Sequence, residues 1–220
     1  MKTTLSFKLL MLVTILTLTS VSAHAQIAVG VKAGTAGYGG ELMTSLTERI
    51  NARVSGTFFS YNDSGVYADD DPSIAYNMKG EVTSIGGIID FFPFKRGLKL
   101  SAGFFYHDFL VNGDATPDES YTIDDKTFSP EKLGSLTGKI EYESMLVPYA
   151  GIGIGNPLAK GSRLKLNFEI GALYTDAPSV TMEGEGMIAP TASQGQDFED
   201  GMSDFKFYPV INLGLSFRLN

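Results

Sequence analysis

The chain has 220 residues, with 17 basic against 25 acidic side chains, a formal charge of −8 and no cysteine. That acidic balance argues against a nucleic-acid partner, and the missing cysteines exclude both a disulfide framework and a thioether lipid anchor. The length suits one domain with a sizeable core.

Residues 1–25 read as an export signal. Lys2 and Lys8 supply a positive start, Leu9 to Leu18 an apolar run, and Ala23-His24-Ala25 a small-residue cleavage site before Gln26. The apolar run is too short for a spanning helix and no stop-transfer flank follows. The expected division is therefore a cleaved signal peptide, 1–25, and a barrel domain, 26–220. Without Lys2 and Lys8 the balance becomes 15 basic to 25 acidic side chains.

Beyond Ala25 no uninterrupted apolar stretch is long enough to cross a bilayer as a helix. Eight segments with strand-like alternation take its place: 27–34, 39–46, 51–61, 81–92, 99–110, 140–155, 163–175 and 205–219. The clearest runs from Arg163 to Tyr174. Leu164, Leu166, Phe168, Ile170, Ala172 and Tyr174 share one parity, while Arg163, Lys165, Asn167, Glu169 and Gly171 share the other. A strand sends successive side chains to opposite faces, so this is a ribbon with an oily side and a polar side. Each segment is at or near the roughly nine to eleven residues that a tilted strand needs to cross hydrocarbon. An even number of antiparallel strands can close without leaving a backbone edge in lipid.

The connections alternate in length. Turns 47–49, 93–97 and 156–161 are short, while 62–79, 113–138 and 177–204 are long, polar and acidic. Only the first connection, 35–38, breaks the alternation by being short. Short turns on one side and long loops on the other match the periplasmic and extracellular ends of a membrane barrel. Aspartates gather in the long loops at 69–71, 124–125 and 197–200, where they read as a solvated surface; calcium-loop spacing is missing. Ser129-Pro130-Glu131 has the form of a helix start. Pro148 and Pro209 fall inside strands and predict bulges or interrupted pairing.

Parity assigns the faces. Outward fall Val29, Val31, Ala52, Val54, Phe58, Ile85, Ile89, Phe91, Leu100, Phe104, Tyr106, Ile152, Leu166, Phe168, Leu213 and Phe217. Lining the interior are Lys32, Glu41, Arg53, Asp90, Lys99, His107, Glu141, Tyr149, Lys165, Asn167, Glu169, Asn212 and Arg218, together with Asn51 and Glu143. A charge on the lipid side near the midplane costs about 2–4 kcal/mol, so its absence from the oily faces carries weight. Aromatic residues near strand ends (Tyr61, Phe91, Phe94, Tyr106, Tyr174, Phe207) are candidates for interfacial belts. A soluble lipocalin-like barrel would turn the apolar face inward, and then nothing accounts for the loop asymmetry.

The stretches Gly34-Thr35-Ala36-Gly37-Tyr38-Gly39-Gly40, Pro148-Tyr149-Ala150-Gly151-Ile152-Gly153, Glu169-Ile170-Gly171-Ala172-Leu173-Tyr174-Thr175 and Pro209-Val210 carry a resemblance. The chain resembles the CarO-type family of small outer-membrane barrels, the ornithine-uptake porins, and more loosely the OmpA-like and OmpW-like barrels. The motifs run from the first strand to the last. The resemblance implies an all-β, eight-stranded antiparallel up-and-down barrel in the outer membrane and, by analogy, passage of small basic amino acids. Such barrels usually end on an aromatic residue read by the assembly machinery, whereas this chain ends Phe217-Arg218-Leu219-Asn220.

Two other patterns carry little. Gly151, Gly153 and Gly155 do not form a dinucleotide fingerprint, because the third glycine is misplaced and no helix follows; small inward side chains in a tight barrel explain them. His107 is the one histidine after residue 25. It reads as part of an interior charge network, with no catalytic, metal or cofactor site expected. An eight-stranded interior is just wide enough to be filled by side chains, so the long inward cations and carboxylates should pair and plug it. The expected function is a narrow or gated conduit for small, cationic solutes, with Glu41, Asp90, Glu141 and Glu169 as polar stepping points. The alternative is a closed structural or recognition barrel acting through its loops or in envelope integrity. Expected partners are outer-membrane lipid and lipopolysaccharide, the barrel-assembly machinery and small cationic solutes, with no nucleic acid.

Overall fold

The computed structural model describes residues 26–68, 73–94, 97–123 and 125–220. Residues 1–25, read from sequence as an export signal, the aspartates at 69–71, Asp124 and part of the 93–97 turn lie outside the described residues. Among the described residues twelve strands are present: β1 Ile27–Gly34, β2 Gly37–Ser45, β3 Ile50–Tyr67, β4 Ile74–Phe91, β5 Leu98–Pro117, β6 Tyr121–Ile123, β7 Lys126–Phe128, β8 Leu136–Glu141, β9 Leu146–Ile154, β10 Leu164–Tyr174, β11 Ser179–Gly184 and β12 Phe207–Arg218. Helix α1 spans Pro130–Leu133, a 3-10 helix Gly186–Gln194, and α2 Gly195–Gly201. The predicted helix start at Ser129-Pro130 is therefore α1, with proline in its first turn.

Eight strands close a ring. β1 to β5 pair in succession, β5 pairs β9, β9 pairs β10, β10 pairs β12, and β12 returns to β1, all antiparallel. Alternation sets the two faces. Leu166, Leu213, Val31 and Phe104 are 60–70% exposed on the outer wall, while Arg53, Asp90, Lys99 and Glu169 are buried within. Outward rings mark two levels: Phe91 and Phe94 near the short turns, and Tyr38, Phe58, Tyr106, Tyr174 and Phe207 toward the other end. From Leu164 to Tyr174 the strand covers roughly 33 Å, or about 25 Å of height at the usual tilt, the height of a barrel's apolar band.

The long connections differ from the loops expected. Residues 62–67 and 74–79 continue the β3–β4 hairpin in unbroken register, and β5 runs on to Pro117. β8 pairs this upper part of β5, and β11 pairs β8. At 18 to 20 residues, β3, β4 and β5 reach roughly 60 Å, far more than a membrane band needs. The upper sheet thus projects beyond the barrel. In it Tyr76 donates to Asp63 at 3.3 Å, and the carboxylate charge raises the phenol's pKa.

The predicted strand 140–155 is two strands. Between Glu141 opposite Leu110 and Leu146 opposite Tyr106, four residues on this segment face three on β5. One extra residue flips every side chain that precedes it. Glu141 consequently leaves the interior: it is half exposed and pairs with Lys139 at 2.6 Å, while Glu143 is exposed. The prolines produce no bulge. Thr35 Oγ1 donates to the Pro209 carbonyl, which places the proline nitrogen on the side where β1–β12 pairing has already stopped at Asn212. His107 N–H donates to Met145 O, so by alternation Pro148 turns its nitrogen toward β10, whose ladder with β9 ends at Tyr149. Each missing donor falls at a ladder's end.

Tight closure leaves Gly103 on β5 no room for a side chain, since a Cβ there would run into the Gly87 carbonyl. At Gly138 on β8 an added Cβ meets nothing within 4 Å. Gly103→Ala is expected to cost about 1–3 kcal/mol and Gly138→Ala much less than 1, read from urea midpoints of the protein folded in lipid vesicles. Equal midpoints for the two variants would contradict the close β4–β5 approach.

Candidate functional site: a layered interior

The interior is stratified. Toward the short turns, Ala28, Met43 and Leu158 form an apolar cluster. Leu158 comes from the turn after β9, which folds into the barrel: Asn51 Nδ2 donates to Asn156 Oδ1 at 3.2 Å, and Leu158 N–H to the same oxygen at 3.1 Å. Toward the other end a second cluster joins Ile88, Phe105, Val147, Tyr149, Leu173 and Val210. Phe105 meets Tyr149 edge to face at 5.4 Å. On β4 Asp90 precedes the short turn more closely than Ile88, and on β5 Lys99 lies nearer it than Phe105. The charged residues therefore occupy the layer between two oily ones.

That middle layer is organised by Arg53 of β3. Its Nη1 donates to Glu41 Oε2 of β2 at 3.1 Å. Its Nη2 donates to Asp90 Oδ1 of β4 at 3.0 Å and to Glu169 Oε2 of β10 at 2.7 Å. Lys99 of β5 reaches Glu169 at 2.5 Å and Asp90 at 3.9 Å. Ser101 donates to Asp90 at 2.6 Å, and Tyr149 of β9 donates to Glu169 Oε1 at 2.7 Å. The lysine needs space, which Gly153 provides: a Cβ there would come within 2.8 Å of Lys99 Cε. Lys32 of β1 and Asn212 of β12 line the same region. Lys32, Arg53 and Lys99 thus face Glu41, Asp90 and Glu169, a neutral set of three cations and three carboxylates.

The remaining interior candidates scatter. Asn167 donates to Ser216 at 2.8 Å toward the short-turn end. Arg218 donates to the carbonyls of Ala159 (2.6 Å) and Gly161 (3.3 Å), capping the inserted turn at the barrel rim. Lys165, at the same end, is only partly buried. His107 is fully buried above the Phe105 layer, its Nδ1 2.7 Å from Ser84 Oγ and its ring 4.6 Å from that of Tyr208. Its Nε2 has no hydrogen-bond partner among the described residues. Ser84 and His107 are both buried. The contributing residues that parity alone did not single out are small hydroxyls, Ser101, Ser84 and Ser216, and the two apolar clusters apart from Tyr149. All but Leu158, which sits in the turn after β9, share the interior parity of the charges beside them.

Near this layer the free space is a cavity of about 10 Å³, lined by Lys32, Thr57, Ser84, Phe105, Tyr149 and Glu169 among others. A single water needs about 10–15 Å³. Among the described residues, the space beside the ionic layer is thus no larger than one water. Removing one partner of such a network strands the others without water. Arg53→Leu is expected to cost about 3–5 kcal/mol, and the added Glu169→Leu change to cost less in the double variant than alone. Urea midpoints in vesicles give both values; strictly additive losses would contradict the coupling.

No family model matches the chain in sequence, and no curated protein does either. Solved structures do resemble it. CarO2 of Acinetobacter baumannii superposes with a TM-score of 0.60 at 19% identity, covering 88% of this chain and 98% of its own. CarO of the same organism gives 0.56 at 19%, covering 86% and 96%. A major outer membrane protein from Thermus thermophilus gives 0.51 at 15%, covering 89% and 100%. At these identities the likeness concerns the fold: this chain shares the small β-barrel architecture of those proteins over nearly its whole described length.

Proposed function

We propose that the protein is an integral outer-membrane β-barrel, exported with cleavage after Ala25, whose interior is closed at rest. It then meets the exterior through the upper sheet and helices instead of a standing pore. The observation that carries this reading is the neutral Arg53 layer, held between two apolar layers with space for about one water. The membrane location draws support from the exposed apolar wall between aromatic rings and from the uneven ends of the ring. Lipid and lipopolysaccharide are then its surroundings, and the barrel-assembly machinery inserts it.

A second reading, the gated conduit for small cations, is favoured by one feature. A permanently sealed plug needs no ions, since well-packed apolar side chains of similar volume are often more stable than a buried ion network. Movement of Arg53 or Lys99 away from Glu169 would expose three carboxylates lining a path.

Planar-bilayer recordings test both. The closed reading expects no conductance steps from the wild type, and steps from Arg53→Ala/Glu169→Ala, which removes the central pair and leaves room for water. Voltage- or solute-dependent openings of the wild type with ornithine or arginine would favour gating; a standing open conductance would refute closure. Leu166→Arg places a cation on the outer wall and is expected to cost about 2–4 kcal/mol of stability in vesicles. A neutral effect would contradict the lipid-facing wall.

A further inference from the structure

The upper sheet has two edges, and they are finished differently. β11 forms one of them. Glu185 N–H donates to Ser135 O at 2.8 Å, so the odd residues of β11 exchange hydrogen bonds with β8 and the even ones turn away from it. Val180 is one of the latter, and its N–H donates to the Glu199 carboxylate of α2 at 2.9 Å. Helix and acid cap that edge.

β3 forms the other edge and has no such cover. Phe92 N–H donates to Arg49 O at 2.8 Å and Leu46 N–H to Ile50 O at 2.9 Å, which turns the odd residues of β3 toward β4 and the even ones toward β2. β2 begins only after the short 35–38 connection, and its ladder with β3 ends at Tyr38 opposite Phe58. Above that level Ser60, Asn62, Ser64 and Val66 present backbone N–H and C=O groups that no other described residue meets. The usual guards of an open edge are missing: residues 59–67 contain no proline and no lysine, and their register with β4 has no bulge. Unpaired backbone is untenable in hydrocarbon, so this edge belongs on the aqueous side of the barrel.

The side chains beside the edge select the occupant. On the inward-parity face Phe59, Tyr61 and Tyr67 are about half exposed, with Asp63 between them. Tyr76 donates to Oδ2 of Asp63 and leaves Oδ1 without a hydrogen bond among the described residues. A second copy fits poorly. Antiparallel self-pairing over 60–66 sets Asp63 against Asp63, and like charges directly opposite are destabilising. Copies inserted the same way in one membrane both run upward along β3, which leaves them only the weaker parallel ladder. A foreign strand with a cation opposite Asp63 meets neither obstacle.

We propose that the free edge of β3, from Ser60 to Val66, captures an extended segment of another protein by β-strand addition, with lysine or arginine opposite Asp63 and apolar residues opposite Tyr61 and Gly65. The assignment goes beyond the closed-barrel reading, because strand addition requires no passage through the ring; conductance and peptide capture can each fail alone.

The test uses full-length mature protein in lipid nanodiscs, amide hydrogen exchange read by NMR, and the peptide acetyl-Thr-Val-Thr-Lys-Thr-Val-Thr-amide, whose threonines fall opposite the even residues of β3. Without peptide, the amides of Ser60, Asn62, Ser64 and Val66 are expected to exchange fast and those of Tyr61 and Asp63 slowly. The peptide should slow Asn62 and Ser64 saturably. N-methylation of its two central threonines, whose N–H groups face β3, should weaken binding about tenfold or more, whereas N-methylation of its valines, which face away, should leave it unchanged. Replacing the peptide's lysine by glutamate should weaken it about threefold or more. Ser64→Pro removes an edge donor where the β4 ladder does not need it, and should weaken capture while Tyr61 and Asp63 stay slow. Edge amides already protected without peptide, as a second copy would make them, would overturn the proposal. So would no protection by the lysine peptide, equal binding of the two N-methylated forms or of the lysine and glutamate forms, or unchanged capture by Ser64→Pro.

Discussion

A guanidinium buried at mid-height has five donors and no water to receive them, and the rest of the interior is arranged around that demand. Arg53 finds carboxylates on β2, β4 and β10, separated from it by 12, 37 and 116 residues. β2 and β4 are its immediate neighbours. β10 lies across the ring, so Glu169 reaches Arg53 only once β12 has paired with β1 and β9 with β5. The ion cluster and the closure of the sheet are thus one event: an open sheet strands three carboxylates and three cations in an interior that cannot solvate them. In that sense the charges specify the closed ring, although they do not by themselves make it more stable than a wholly apolar filling.

The apolar layers above and below raise the stakes. Phe105, Val147 and Leu173 on one side and Met43 and Leu158 on the other keep water from the ions, which strengthens each hydrogen bond and makes each missing partner costly. Backbone space is matched to the same end. Gly153 stands where Lys99 must pass, so a long cation occupies volume that a second side chain would otherwise claim. The outer wall follows the complementary rule, with the alternate residues of the same strands apolar.

Much of this was written in period-two alternation. The segments on β1, β2, β10 and β12 have the faces that parity assigns, and on β10 counting in twos from Lys165 reaches Glu169, one of the charges of the Arg53 layer. Two things escape such counting. One inserted residue between Glu141 and Leu146 reverses the faces, and no local preference in Tyr142-Glu143-Ser144-Met145 announces it; it becomes visible only when β8 and β9 are both aligned to β5. Polarity also misled at 62–79 and 113–138. Acidic, polar sequence reads as loop, yet a strand that runs beyond the closed ring no longer needs one oily face, so β3 to β5 continue as a sheet whose sequence has lost its alternation. The apolar interior clusters were missed for the opposite reason: the expectation of a polar lumen directed attention to charges, while Val147 and Leu173 occupy the same parity.

Whether Arg53 is held dry among its carboxylates can be observed without altering it. The guanidinium resonances of Arg53, followed by NMR in lipid nanodiscs, report both bond rotation and exchange with water. The account predicts separate, slowly exchanging Nη protons with contacts to the side chains of Glu169 and Asp90. A single averaged signal exchanging freely with solvent would contradict it, since that is the behaviour of a guanidinium in a water-filled lumen.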